Sequence, residues 1–357
     1  MRVLYDYQAF NQHIGGVSRY ATSLIQNLPK DVEYILPNIL SENVYLERSG
    51  IRHRAFLPNN RSNLKGKAYI ALNILQSLKE LKTEKFDIFH PLFCNPYYVG
   101  HTGNHKVVTT VHDLNFYTYP EMLPNAEGVQ HKMEVTCKDA DAIICVSEET
   151  KQNLLKYIDI PEEKCHVILE GCEQTLIHSN GARLHKEPYI LYIGGRNGYK
   201  NFPRFLQAYS KMETKLDLVC TGSSWKPSEI ELINRLGIKN RIFQKFVTDD
   251  ELSNLLCNAE FFVYPSLAEG FGLPILEAAR CHCPCVVSDL MCFHEVAGDT
   301  ALYFNPKSVD DITKTLEKAI SDAARLKHLA DLGQENLKNF TWKKTAEETA
   351  EVYRSLV

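Results

Sequence analysis

Residues able to act on a charged, hydroxyl-rich ligand concentrate in one stretch, Tyr264 to Ser288 (YPSLAEGFGLPILEAARCHCPCVVS). Glu269 precedes a glycine-bracketed turn, Gly270-Phe271-Gly272, and Leu273 and Pro274 lead into an apolar run that carries Glu277. Proline suits a first helical turn, because the N–H it lacks would have no partner there. A glycine-rich turn feeding a helix presents unpaired backbone N–H groups to an anion such as a diphosphate. Two carboxylates flanking that anion site imply hydroxyls to be gripped, so the expected ligand is a sugar nucleotide. Local rules also account for these residues without a ligand: the helix macrodipole favours Glu277, and a Gly-Phe-Gly turn is ordinary loop chemistry.

Other candidates lie at the ends of apolar runs elsewhere. Arg196 follows Gly194-Gly195, and Lys200 comes four residues later. A guanidinium forks onto phosphate oxygens and an ammonium supplies a point charge, which is what a departing diphosphate needs. Solvation of both cations is the plain alternative. His112 and Asp113 follow VVTTV, and His90 follows FDIF. A histidine there either donates to a sugar hydroxyl or is a satisfied structural residue. Gly15 and Gly16 let the backbone approach a ligand closely, but they do not form the G-x-G-x-x-G nicotinamide fingerprint. The run Cys281-His282-Cys283-Pro284-Cys285 lacks zinc spacing and has no second cluster, so it reads as small residues entering a buried strand and no metal is expected.

Strands alternating with helices must position these groups. Short apolar runs typical of parallel strands occur at 2–5, 86–89, 107–111, 142–146 and 165–169. The segment 174–188 is polar and patternless. The alternation restarts at 189–193 and continues through 216–220, 242–246, 260–264 and 285–288. The spacing predicts helices at 17–27, 148–157, 202–212, 227–236, 249–258 and 309–322, and a closing amphipathic helix at 341–356. The fold class is therefore α/β, with two doubly wound Rossmann-like domains facing a cleft. The expected boundaries are 1–180 plus the crossover helix 341–357 for the first domain, and 186–340 for the second.

With 357 residues, 44% hydrophobic and 24% charged, the composition is that of a soluble two-domain protein. No apolar run reaches the roughly 18 residues needed to span a bilayer. The start MRVLYDYQAF lacks a signal-peptide layout. Eleven cysteines without framework spacing suit a reducing cytoplasm, and a net charge of -4 argues against nucleic acid as partner. One local exception is the stretch 48–85, where nine Lys/Arg and two Glu leave a net of +7. It is either a solvated helix face or a surface for an anionic membrane.

Taken together, IGGVSRY, TTVHDL, CVSEETKQNL, YIGGRNGYKNF, KFVTDDELSNLLCNAEFFVYPS and EGFGLPILEA resemble the GT-B-fold retaining glycosyltransferases of family 4 over nearly the whole chain. The resemblance implies that a hexose, mannose first among the guesses, moves from a GDP- or UDP-linked donor to a saccharide or lipid-linked acceptor. The expected setting is bacterial surface polysaccharide synthesis in the cytoplasm, with peripheral attachment to the membrane's inner face as a further expectation. By that resemblance Glu277 would hold the ribose and Glu269 the hexose, while backbone at Gly270, Phe271, Gly272 and Leu273 touches sugar and diphosphate. Arg196 and Lys200 would neutralise the leaving diphosphate without metal or cofactor, Gly15 and Gly16 would line it, and His112 would contact the transferred sugar. The chain departs from the family pattern in placing Gly195 before Arg196 and His282 where glycine is usual. It also carries Glu170 and Glu173 where asparagine and aspartate are usual, and no role is assigned to either. An epimerase or a non-catalytic sugar-nucleotide binder on the same fold is the competing expectation.

Overall fold

The structure is a computed structural model that describes residues 1–37, 40–52, 63–178, 181–196 and 198–357, with residues 63–67 described by backbone alone. The chain divides into two compact units, one of residues 1–120, 125–171 and 342–357, the other of residues 121–124 and 172–341. The first holds β1 (Arg2–Tyr5), β2 (Glu33–Ile35), β3 (Ile88–His90), β4 (Lys106–Val111), β5 (Ala142–Cys145) and β6 (Cys165–Val167). The second holds β7 (Tyr189–Tyr192), β8 (Asp217–Thr221), β9 (Ile242–Lys245), β10 (Phe261–Tyr264), β11 (Cys285–Ser288) and β12 (Ala301–Phe304).

Both sheets are parallel, in the orders β2-β1-β3-β4-β5-β6 and β12-β11-β10-β7-β8-β9. Continuous apolar runs such as Ala142–Cys145 and Phe261–Tyr264 are buried at every position, as strands covered on both faces must be. Strand order reverses beside β1 in the first unit and beside β7 in the second. The crevices at those reversals, between β1 and β3 and between β7 and β10, are where open α/β sheets collect ligands.

The break between the units falls after Gly171, nearer the start than the expected 180–186. The polar segment after it is held by backbone bonds to the second unit. Cys172 N donates to Phe340 O at 2.9 Å, Ile177 N to Arg280 O at 2.9 Å, and Leu184 N to Asn254 Oδ1 at 3.3 Å. The closing helix, Trp342–Leu356, belongs to the first unit. It buries Trp342, Ala346, Ala350, Val352 and Tyr353, each large side chain contributing about 1.5–3 kcal/mol. Tyr353 Oη lies 3.0 Å from Tyr5 Oη and 2.5 Å from His90 Nδ1, tying the helix to the ends of β1 and β3.

The sequence pattern missed β2 and β12 and the helices Ala126–Asp139 and Ala323–Asn336. β2 is three residues with no alternation to detect. β12 is ALYF, too short to stand out beside the long helices that follow it.

Candidate active site

The loops bordering the crevice between β7 and β10 bring two charged candidates of the second unit, Lys200 and Glu269, together. After β7 the chain runs through Gly194 and Gly195 to a single helical turn, Gly198–Lys200. After β10 it runs through Ser266 to Glu269. Leu267 N donates to Tyr199 O at 2.7 Å, so main chain joins the two loops. Asn201, in the left-handed region at φ 58° and buried, donates from Nδ2 to Pro265 O (2.9 Å) and Pro306 O (2.7 Å). With the loops so fixed, Lys200 Nζ donates to Glu269 Oε1 at 2.5 Å, and Ser266 Oγ donates to the same oxygen at 2.6 Å. Lys200 keeps 21% of its side chain exposed and Glu269 11%. The Tyr264 and Tyr199 rings flank the ammonium, at 5.5 and 5.1 Å. Burial and the Glu269 carboxylate push the Tyr264 phenol well above its ordinary value.

Arg196 stands elsewhere in the same loop. It is 8% exposed, and Nε donates to Glu229 Oε1 at 3.0 Å. Nη2 donates to Ser223 O (2.6 Å) and Ser224 O (3.1 Å), and the guanidinium lies 4.6 Å from the Trp225 ring. Gly222, at φ 112°, sits so close that a Cβ there would lie 3.2 Å from Gly194 O. The guanidinium therefore binds the loop after β7 to the loop after β8.

The glycine turn is built as its sequence predicts. Gly272 caps the helix Leu273–Arg280 at φ 122°, and a Cβ there would lie 3.1 Å from the Phe293 ring. No side chain caps that helix; Pro274 has no N–H to satisfy, and Ile275 N donates to Gly272 O at 2.9 Å. Phe271 is buried with its ring edge-on to Phe340 at 6.2 Å, leaving its backbone as the part that can meet a ligand. Gly270 stands between Glu269 and Phe271, Leu273 is half-buried, and Glu277 is half-buried on the same helix.

In the first unit, Gly15 is extended and Gly16 begins the helix Gly16–Gln26. A Cβ at Gly16 would meet nothing within 4 Å, so packing does not require this glycine. His112 follows β4 and lines a hollow of about 90 Å³ with Val17, Phe93, Phe116, Val129 and Met133. Its Nδ1 lies 3.4 Å from Glu170 Oε1, the Tyr20 ring stands edge-on at 4.9 Å, and its Nε2 is enclosed without a hydrogen-bond partner among the described residues. His90 is its opposite. Nδ1 meets Tyr353 Oη, Nε2 meets Thr110 Oγ1 at 2.9 Å, and burial pushes the imidazole down to about 3, so it is neutral and structural. Sequence reasoning names Glu170 without a role and misses Asn201 and Asp6. Asp6, just past β1, accepts from Gln8 N, Gln8 Nε2 and Tyr97 Oη, and burial pushes its carboxyl up to about 6.

Among the described residues no group of three or more His, Cys, Asp or Glu is placed to hold a metal ion. Cys281, Cys283 and Cys285 are buried, and His282 sits in the left-handed region (φ 54°) with Nε2 2.6 Å from Asp331 Oδ1. Within the basic stretch, Arg54 and Arg61 lie outside the described residues, as do the side chains of Lys65 and Lys67. The helix Asn63–Thr83 buries Asn73 and Ser77 and exposes Ile70, Leu72 and Leu75. No described helix is long and apolar enough to cross a membrane.

Residues 14–176 match the family model described as Glycosyltransferase Family 4, and residues 173–338 match that of Glycosyl transferases group 1. The O-antigen chain mannosyltransferase B of Escherichia coli is 26% identical over 388 residues, covering 100% of both chains. The serotype-specific mannosyltransferase WbdA of Escherichia coli is 31% identical over 237 residues, 61% of this chain and 29% of that protein. A sucrose-phosphate synthase from Thermosynechococcus elongatus shares the fold at a TM-score of 0.78 and 17% identity, over 99% of this chain and 98% of that one. Anabaena HepE, solved with UDP and glucose, shares it at 0.77 and 15%, over 99% of each.

Proposed function

We propose that this chain, which belongs to the GT-B glycosyltransferases of family 4 type, moves a hexose from a nucleoside diphosphate sugar to a saccharide or lipid-linked acceptor. The observation that carries the proposal is the Lys200–Glu269 pair at the strand-order reversal of the second sheet, beside the uncapped helix start at Leu273. The Lys200 ammonium keeps 21% of its side chain exposed beside Glu269, so it can meet diphosphate oxygens as charge builds on the leaving group. The backbone of Phe271, Gly272 and Leu273 adds N–H groups from the helix start, Glu269 takes hexose hydroxyls, and Glu277 takes the ribose. Arg196 acts as the brace that holds the Lys200 loop. In the first unit, Gly16 is the proposed contact for diphosphate and His112 for the hexose. Transfer proceeds with retention of anomeric configuration and uses neither metal ion nor cofactor.

Mannose and surface-polysaccharide assembly are favoured by the names of the similar O-antigen mannosyltransferases of Escherichia coli and Salmonella typhimurium. Incubation with radiolabelled GDP- and UDP-hexoses and a lipid-linked acceptor extract tests the reading. Transfer from GDP-mannose is expected; no transfer and no donor hydrolysis across the panel would overturn it. Conversion of donor alone, seen by proton NMR, would point to an epimerase.

The helix Asn63–Thr83 supports a peripheral position on an anionic membrane face. Leu72, Leu75, Lys79 and Lys82 recur at helical spacing along its exposed ridge, apolar at one end and basic at the other. Leu72→Ser/Leu75→Ser is expected to lower co-sedimentation with anionic vesicles several-fold. Equal binding of the unaltered protein to neutral vesicles would remove the electrostatic part.

A further inference from the structure

We propose that Glu170 is the positioning residue for His112: its carboxylate keeps the proton on Nδ1 and so presents Nε2 as a hydrogen-bond acceptor to the transferred hexose. The inference rests on the hexosyl-transfer reading, in which His112 meets that sugar. Glu170 lies three residues past Val167, the end of β6, and is 5% exposed. The chain leading to it is fixed, since Ile168 N donates to Cys145 O at 3.0 Å and Thr345 Oγ1 donates to Leu169 O at 2.8 Å.

An ionised carboxylate only accepts hydrogen bonds, so the nitrogen facing it, 3.4 Å away, must be the protonated one. In a neutral imidazole the other nitrogen then carries a lone pair. Here that nitrogen is enclosed and has no hydrogen-bond partner among the described residues, on a side chain that lines the hollow, and buried polar atoms are seldom left so. The edge-on Tyr20 ring limits rotation of the imidazole. The His112 side chain is 14% exposed, and a small ring rotation on sugar binding would let a hexose hydroxyl donate to Nε2 and complete the set. The carboxylate behind the ring also places a negative charge one residue away from the sugar, where positive charge develops as its bond to the diphosphate lengthens. Glu170 itself touches no substrate.

Nitrogen-15 shifts of labelled histidine at pH 8, with His112 assigned through His112→Gln, read the tautomer directly. The expected result is a proton on Nδ1 of His112 in the unaltered protein and its loss or averaging in Glu170→Gln. In steady-state transfer, Glu170→Gln is expected to lower kcat about 10–100-fold with donor KM changed less than about twofold. Glu170→Asp, which keeps the charge, recovers part of the loss and stands in should Glu170→Gln fail to fold. A proton on Nε2 in the unaltered protein, or undiminished turnover by Glu170→Gln, would overturn the proposal. The shifts need no donor. A wrong hexosyl-transfer reading would leave the tautomer intact and the transfer assay silent, whereas a wrong positioning role would show in the shifts themselves.

Discussion

The carboxyl edges of the two sheets are built to different plans. The second sheet ends in charges and glycine turns, with Lys200 against Glu269 and Arg196 against Glu229. The first ends in imidazoles and hydroxyls, with His90 among Tyr353 and Thr110 and His112 against Glu170. Each edge holds one pair that is closed and one that is open. Arg196 and His90 have their bonding capacity taken up by the protein, while Lys200 keeps partial exposure and His112 Nε2 has no hydrogen-bond partner among the described residues. Type and position along the strand are alike within each pair. What separates the members is enclosure: the Arg196 side chain is 3% exposed and that of Lys200 21%.

Breaking the closed members should cost stability. Arg196→Ala strands the buried Glu229 carboxylate and is expected to cost about 3–5 kcal/mol, read as a lowered denaturant midpoint. An unchanged midpoint would show that the loop after β8 holds without it. Breaking an open member should cost chemistry. Lys200→Ala is expected to lower kcat about 10²–10³-fold with a smaller Tm loss than Arg196→Ala, since Ser266 Oγ still donates to Glu269 and Lys200 is the more exposed cation; a Tm drop as large as that of Arg196→Ala would erase the contrast.

His90 sharpens the comparison through pH. Its folded value, about 3, lies below the ordinary 6.5, so its stability contribution is present above pH 6.5 and drains away as pH falls toward 3. Between pH 7 and 5 that amounts to about 2 kcal/mol. His90→Gln should show a shallower loss of Tm over that range, and a parallel loss in both proteins would refute it. Glu277→Ala is the mildest case, with donor affinity by calorimetry expected to fall about tenfold, about 1.4 kcal/mol. Unchanged affinity would remove its ribose role.

What could be read from sequence was local. The turn at Glu269 to Pro274 follows from glycine and proline at fixed offsets, and β11 from an unbroken apolar run, so both were placed within a residue or two. Arg196 was assigned by its neighbours in sequence, but its use is decided by Glu229, 33 residues on, which no local pattern connects to it. Glu170 was set aside because its residue type departs from the family pattern. Only the β4-β5-β6 order brings the end of β6 near His112, 58 positions away. Asn201 was the nearest miss. Asparagine directly before Phe202-Pro203 at a helix start is a residue that tolerates the left-handed backbone, and that alone marks it as a brace.

The helix Trp342–Leu356 lies last in sequence yet fills the core of the unit that begins at residue 1. On a ribosome the first unit would emerge with Tyr5 and His90 lacking their Tyr353 partner, and with the apolar groove for Trp342 open, until the whole second unit had followed. The order of synthesis thus opposes the order of assembly. The first unit can be finished only after the second has been made, so half-built chains carry a waiting groove that a chaperone could cover.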